Sequence, residues 1–224
     1  MRHLAIAVAV ILASFLALSA VGVQATDEQE KTEEKKKDEP KTQPESKMAY
    51  VLLDTSKGDI IIELNGEKAP ITVANFLRYT DNEAYNGTIF HRVIANFMIQ
   101  GGGFDKEMNK RPQNATIKNE WKNGLKNARG TISMARLGGQ PDSGSNQFFI
   151  NVKDNPALDR AQADGAAYAV FGKVHAGMKV VDAIKDVPTG TKGRYRDVPT
   201  EPVMINTARR ISKEEADAAK ARTR

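Results

Sequence analysis

Residues Thr88 to Phe104 read TIFHRVIANFMIQGGGF, two apolar runs of strand length interrupted by Arg92 and Gln100 and closed by three glycines. At a two-residue period Phe90, Arg92 and Ile94 belong to one run, and Phe97 and Ile99 to the next. An arginine among apolar neighbours costs desolvation free energy unless its five N–H donors find partners, so Arg92 reads as a purposeful feature. The plainer reading is an arginine that reaches solvent or pairs with a carboxylate. Neither Lys-Ser/Thr nor a helical pattern follows Gly101 to Gly103, which argues against a phosphate loop. Those glycines instead predict a bulge or a close backbone approach. His91 falls on the opposite face from Arg92 by alternation and reads as a buried structural histidine rather than a base.

The same strand period extends to both sides. YVLLDTS (50–56) and DIIIELN (59–65) are apolar segments joined at Lys57-Gly58, the pattern of a hairpin. Ala69-Pro70 opens a helix whose apolar face is Ile71, Ala74, Phe76, Leu77 and Tyr79. Short strands are expected near 89–94, 97–100, 130–135, 147–151 and 169–174, with Gly/Asn/Asp-rich loops between them. A second helix over Met178 to Asp186 places Val180, Val181 and Ile184 on one side, and Pro202 to Ile211 closes as a strand. Several short strands with two helices argue a mainly β fold, an antiparallel barrel with helices at its ends.

Composition narrows the chemistry. The 224 residues include no cysteine, which excludes disulfides, thiol catalysis and thiolate metal sites. Only three histidines occur, too few for a convincing zinc site. The formal net charge of +5 comes from scattered lysines and arginines with no nucleic-acid-binding motif, so no nucleic acid is expected as partner. Residues 1–25 carry Arg2, an apolar run from Leu4 to Val23 and Val23-Gln24-Ala25, which suits signal-peptide cleavage after Ala25. The run is long for a signal core, so an uncleaved membrane anchor is the alternative. Residues 26–47 (TDEQEKTEEKKKDEPKTQPESK) are too polar to offset their ordering entropy and read as a disordered charged linker, with a charged helix as the alternative. Residues 212–224 read as a solvated tail, helical or disordered, with Ser212 and Glu215 as a capping box. No apolar heptads appear, and a monomer is expected.

The stretch FHRVIANFMIQGGGF (90–104) resembles the signature of the cyclophilin-type peptidyl-prolyl isomerases. RGTISMAR (129–136), SNQFFINV (145–152), NPALD (155–159) and AVFGKVHAGMKVVDAI (169–184) follow in that family's order and near its spacing. The resemblance implies an eight-stranded antiparallel barrel capped by two helices, here over 48–211, and it implies prolyl isomerase activity. It makes Arg92 and Gln100 catalytic, with Gln100 near the substrate carbonyl and helping to hold Arg92. Phe97, Met98, Phe149 and Leu158 match the proline pocket, Gln147 a polar position, Ala135 and Arg136 the stretch whose backbone pairs with an extended peptide, and Tyr168 the pocket border. Apart from the resemblance, those four apolar residues would read as ordinary core. MAR and QFFINV resemble bacterial members in particular, which favours a periplasmic or secreted location.

The chemistry asks for little. Rotation about an X-Pro bond faces a barrier of about 18–20 kcal/mol, but no bond breaks, so no nucleophile, metal or cofactor is required. A dry pocket for the ring helps, as does a cationic donor aimed at the proline nitrogen, whose lone pair returns as the amide twists. Arg92 is always charged and planar in its donors. Proline-containing segments of folding exported proteins are the expected partners, with membrane contact only if the leader is retained. The alternative is a proline-peptide-binding chaperone with little turnover. A serine hydrolase using Ser133 or Ser145 with His91 lacks a nucleophile elbow. The sequence departs from the family at Ala157, where an aromatic is common, at Arg136 and Leu137, and in the longer loop 137–146 (LGGQPDSGSN).

Overall fold

A computed structural model describes residues 48–222. The expectations for residues 1–25 and 26–47 lie outside the described residues. Eight antiparallel strands close a barrel: β1 (Met48–Thr55), β2 (Gly58–Asn65), β3 (Thr88–Ile94), β4 (Met98–Asp105), β5 (Thr131–Met134), β6 (Phe148–Asn151), β7 (Val170–Ala176) and β10 (Met204–Ile211). Their order around the barrel is β1-β10-β3-β4-β6-β5-β7-β2. The expected β1–β2 hairpin forms, but its two-residue turn is Ser56-Lys57, one residue earlier than Lys57-Gly58, because Gly58 already pairs with Thr55 as the first residue of β2.

Helices α1 (Pro70–Asp81) and α2 (Met178–Lys185) complete the core. Pro70 sits in the first turn of α1, where no intrahelical N–H is lost. Val73, Phe76 and Leu77 from α1, and Val181 and Ile184 from α2, join Leu53, Ile62, Phe90, Phe148 and Phe171 in one apolar cluster. Phe76 packs edge-on to Phe148 at 5.4 Å, the geometry that suits ring quadrupoles.

Two features lie outside the barrel and its two caps, one expected as a helical tail and one unforeseen. The tail forms a third helix, α3 (Lys213–Arg222), and it is docked rather than merely solvated. Ala216 is fully buried, and Asp217 lies 3.0 Å from the His175 ring of β7. Ser212 accepts the Glu215 backbone N–H, but the Glu215 carboxylate pairs with Arg209 instead of closing a capping box. A separate hairpin, β8 (Thr189–Lys192) with β9 (Tyr195–Pro199), also stands outside the barrel sheet.

Candidate functional site on the outer barrel wall

The register of β3, β4, β6 and β5 sorts their residues into two rows. Val93 faces Ile99, Ile99 faces Ile150, and Ile150 faces Ile132. All four are buried in the central cluster, so this row is the inner face. Arg92 faces Gln100, Gln100 faces Phe149, and Phe149 faces Ser133. Directly opposed residues share a face, so this second row is the outer wall. The Arg92 side chain is 42% exposed there, more open to solvent than the cost of burying an arginine suggested.

Simple alternation would have placed Phe90 with Arg92. It fails because Phe90 faces Gly101 while Arg92 faces Gln100, which leaves His91 as an extra residue in a bulge. The bulge sends Phe90 into the core and Arg92 outward. His91 is buried against Phe104, with ring centroids 4.6 Å apart, and burial lowers its pKa to about 4. A base of that strength is neutral and inaccessible at neutral pH. The glycines behave as expected. Gly102 has φ +86, and a Cβ at Gly103 would come 2.5 Å from the Gln147 side chain. Only a bare backbone lets β4 pass that close.

Gln100 donates its Nε2 hydrogen to Gln147 Oε1 at 2.8 Å, and Ala135 N donates to Gln147 O at 3.0 Å. Gln100, Ala135, Arg136 and Gln147 share the wall of a cavity of about 190 Å3. Gln100 does not hold Arg92. The Arg92 Nε–H is directed instead to Asp197 Oδ2 at 3.4 Å, which sequence reasoning missed. Met98 and Phe149 are buried, whereas Phe97 and Leu158 are half-exposed. Leu158 lies on a 3-10 turn, Pro156–Asp159, tied to Tyr168 by the bond from Tyr168 N to Leu158 O at 3.1 Å. Tyr168 stands edge-on to Phe149 at 5.8 Å.

Arg136 is expected to contribute through its backbone, and its side chain has a separate role. Its side chain is only 3% exposed and is spent on structure. It pairs with Asp164 at 2.6 Å, donates to Ala166 O at 2.7 Å and lies over the Tyr168 ring at 4.6 Å. The Arg136 guanidinium, with the backbone N–H groups of Ala166 and Gly139, holds the Asp164 carboxyl below the usual carboxylate range. A chain of buried asparagines, also unforeseen, braces the far end. Ser133 donates to Asn127 at 2.7 Å, Asn155 to Asn151 at 2.7 Å and to Phe97 O at 2.8 Å. Ser133 is thereby committed to Asn127, and Ser145 lies 2.8 Å from the Tyr79 hydroxyl. Neither serine is hydrogen-bonded to His91, and the hydrolase reading fails on geometry.

Comparison with known proteins agrees across sequence and structure. The family model "Cyclophilin type peptidyl-prolyl cis-trans isomerase/CLD" matches residues 50–210. The chain is 52% identical to a peptidyl-prolyl cis-trans isomerase A of Dickeya dadantii (strain 3937) over 164 residues, 73% of this chain and 85% of that protein. It is 51% identical to peptidyl-prolyl cis-trans isomerase B of Escherichia coli (strain K12) over 159 residues, 70% of this chain and 96% of that protein. A crystal structure of a cyclophilin type peptidyl-prolyl cis-trans isomerase from Cryptosporidium parvum superposes with a TM-score of 0.60 at 27% identity, covering 74% of this chain and 99% of the other.

Proposed function

Because this chain belongs to the cyclophilin-type peptidyl-prolyl cis-trans isomerases, we propose that the outer row Arg92–Gln100–Phe149 is where it twists the X-Pro bonds of exported polypeptides. The enzyme interconverts cis and trans forms of proline-containing peptides and proteins. The observation that carries the site assignment is that Arg92 is the row's only charged residue. It stands on a solvent-facing wall beside an aromatic and an amide, with the barrel's core directly behind it.

In this reading the proline ring rests on Phe149 and Met98, with Phe97, Leu158 and Tyr168 at its border. Gln100, held by Gln147, presents its amide to the substrate carbonyl, and the backbone at Ala135 and Arg136 aligns the extended peptide. As the amide leaves planarity, its nitrogen regains a lone pair, and the Arg92 guanidinium interacts with that lone pair more strongly than with the planar ground state. The rigid barrel holds the donor in place, so little reorganisation accompanies the twist. A proline-peptide assay comparing cis-to-trans rates with and without enzyme tests the reading. Binding without acceleration would instead favour the holdase.

Export rests on the sequence of residues 1–25, with a periplasmic or secreted monomer as the working form and no nucleic-acid partner. Amino-terminal sequencing from the native host should find Thr26. Retention of Met1 in the membrane fraction would replace the secreted form with an anchored one.

A further inference from the structure

The β8–β9 hairpin lies outside the barrel sheet, yet it is built against the site. β10 pairs with β3 only at Thr88 and Ile89, and the bond from Phe90 N to Val203 O continues that contact. Beyond it no barrel strand pairs with β3 on the β10 side, and β9 packs close to β3. Tyr195 of β9 is edge-on to Phe104 at 5.1 Å, and Lys192 donates to Lys106 O at 3.1 Å. These contacts fix the hairpin to β4 and to the loop that follows it.

The hairpin carries an irregularity in its register. Gly190 faces Val198 and Lys192 faces Tyr195, so Arg196 and Asp197 together stand against Thr191. Asp197 adopts φ +61, a left-handed conformation that aspartate tolerates better than most residues. A bulge of this kind bends its strand and re-aims a side chain. Here it brings the Asp197 carboxylate within 3.4 Å of Arg92 Nε, across 105 residues of chain. Asp197 is the guanidinium's one hydrogen-bond partner among the described residues.

We propose that Asp197 is a positioning residue for isomerisation: its carboxylate accepts the Arg92 Nε–H and sets the guanidinium plane, leaving both terminal amino groups for the substrate. Nε sits at the elbow of the side chain, so one bond there restricts the whole planar fork. The inference rests on the proposed catalytic role of Arg92. Preorganising a donor acts on the transition state more than on substrate affinity, so the effect belongs in kcat.

The experiment uses two substitutions that both tolerate the left-handed backbone. Asp197→Gly removes the acceptor, and Asp197→Asn keeps one through its side-chain carbonyl. Asp197→Gly should lower kcat about three- to fivefold, the scale of one exposed ion pair, with KM within about twofold of the parent. Asp197→Asn should recover most of that loss. The Arg92 Nε–H resonance, followed by NMR, should exchange faster with solvent in Asp197→Gly than in the parent or Asp197→Asn. A parental or faster rate in folded Asp197→Gly overturns the inference, as does an Asp197→Asn protein impaired as much as Asp197→Gly. If Arg92→Ala also keeps its rate, the failure lies in the catalytic role of Arg92, and the Nε–H exchange separates the two cases.

Discussion

The inner and outer rows of β3, β4, β6 and β5 belong to the same four strands, yet they answer to different physics. Inside, Val93, Ile99, Ile150 and Ile132 are interchangeable in chemistry and constrained in volume. Outside, Arg92, Gln100, Phe149 and Ser133 differ in chemistry and are constrained in direction. A barrel wall is therefore a rigid plate that packing fixes on one side and function uses on the other. The separation predicts that damage on one face should leave the other face's property almost intact.

The largest expected effect tests the inner face. Ile150→Ala removes a fully buried side chain and should cost about 2–5 kcal/mol of stability, read from denaturant unfolding. Activity per folded molecule should stay within a few-fold of the parent. A collapse of turnover at conditions where the variant is still folded would show that the two faces are coupled through the plate.

On the outer face, Arg92→Ala should lower kcat/KM roughly 10²–10³-fold, the scale of one preorganised donor, with little change in unfolding midpoint. Arg92→Lys should rescue poorly, because a point ammonium lacks the planar fork. Near-parental turnover in the folded alanine variant would remove Arg92 from the mechanism.

His91 lies at the bulge between the two faces, and its effect depends on pH. Burial lowers its pKa from 6.5 to about 4, so between those values the unfolded chain binds a proton that the folded protein does not. Stability contributed by the neutral ring is complete above about pH 6.5 and is lost as pH falls toward 4. Between pH 7 and pH 5 the loss should be on the order of 2 kcal/mol. His91→Phe keeps a ring against Phe104 and removes the titration, so its unfolding free energy should vary less over that range. An equal pH dependence in both proteins would show that other groups govern it.

These faces were unequally legible in the sequence. The glycines announced their bulge because a side chain at Gly102 or Gly103 is excluded by backbone angle or by Gln147. Both capping helices and the barrel strands were readable because burying one face leaves a period in the chain. The phase of β3 was not, since a single extra residue at His91 exchanges the faces of Phe90 and Arg92 without changing composition. The β8–β9 hairpin left no trace either, as β8 is exposed along its whole length and has no alternation to read. Arg136 was placed correctly in the chain, but its side chain proved structural because Asp164 and Tyr168 come from a distant loop. Local patterns report on burial. Partnerships such as Arg92 with Asp197 are made by the fold.

The smallest expected effect concerns Ala157, exposed on the turn beside Leu158 at the border of the outer face. The family resemblance implies an aromatic at this position that helps form the wall receiving cyclosporin, and a methyl group offers far less apolar area than an indole. At about 25 cal/mol per Å2, even partial contact with an added ring should contribute on the order of 1 kcal/mol to binding. Ala157→Trp should therefore tighten cyclosporin several-fold in a calorimetric titration, while peptide turnover changes little because the donor Arg92 lies elsewhere on the wall. Stability should not move, since the position is exposed and the inner row is untouched. Tight binding by the native protein, or no gain in the variant, would mean that Ala157 does not occupy the aromatic position or that the longer loop 137–146 supplies the missing surface. A parallel loss of turnover would show that the pocket border and the donor are not independent parts of the outer face.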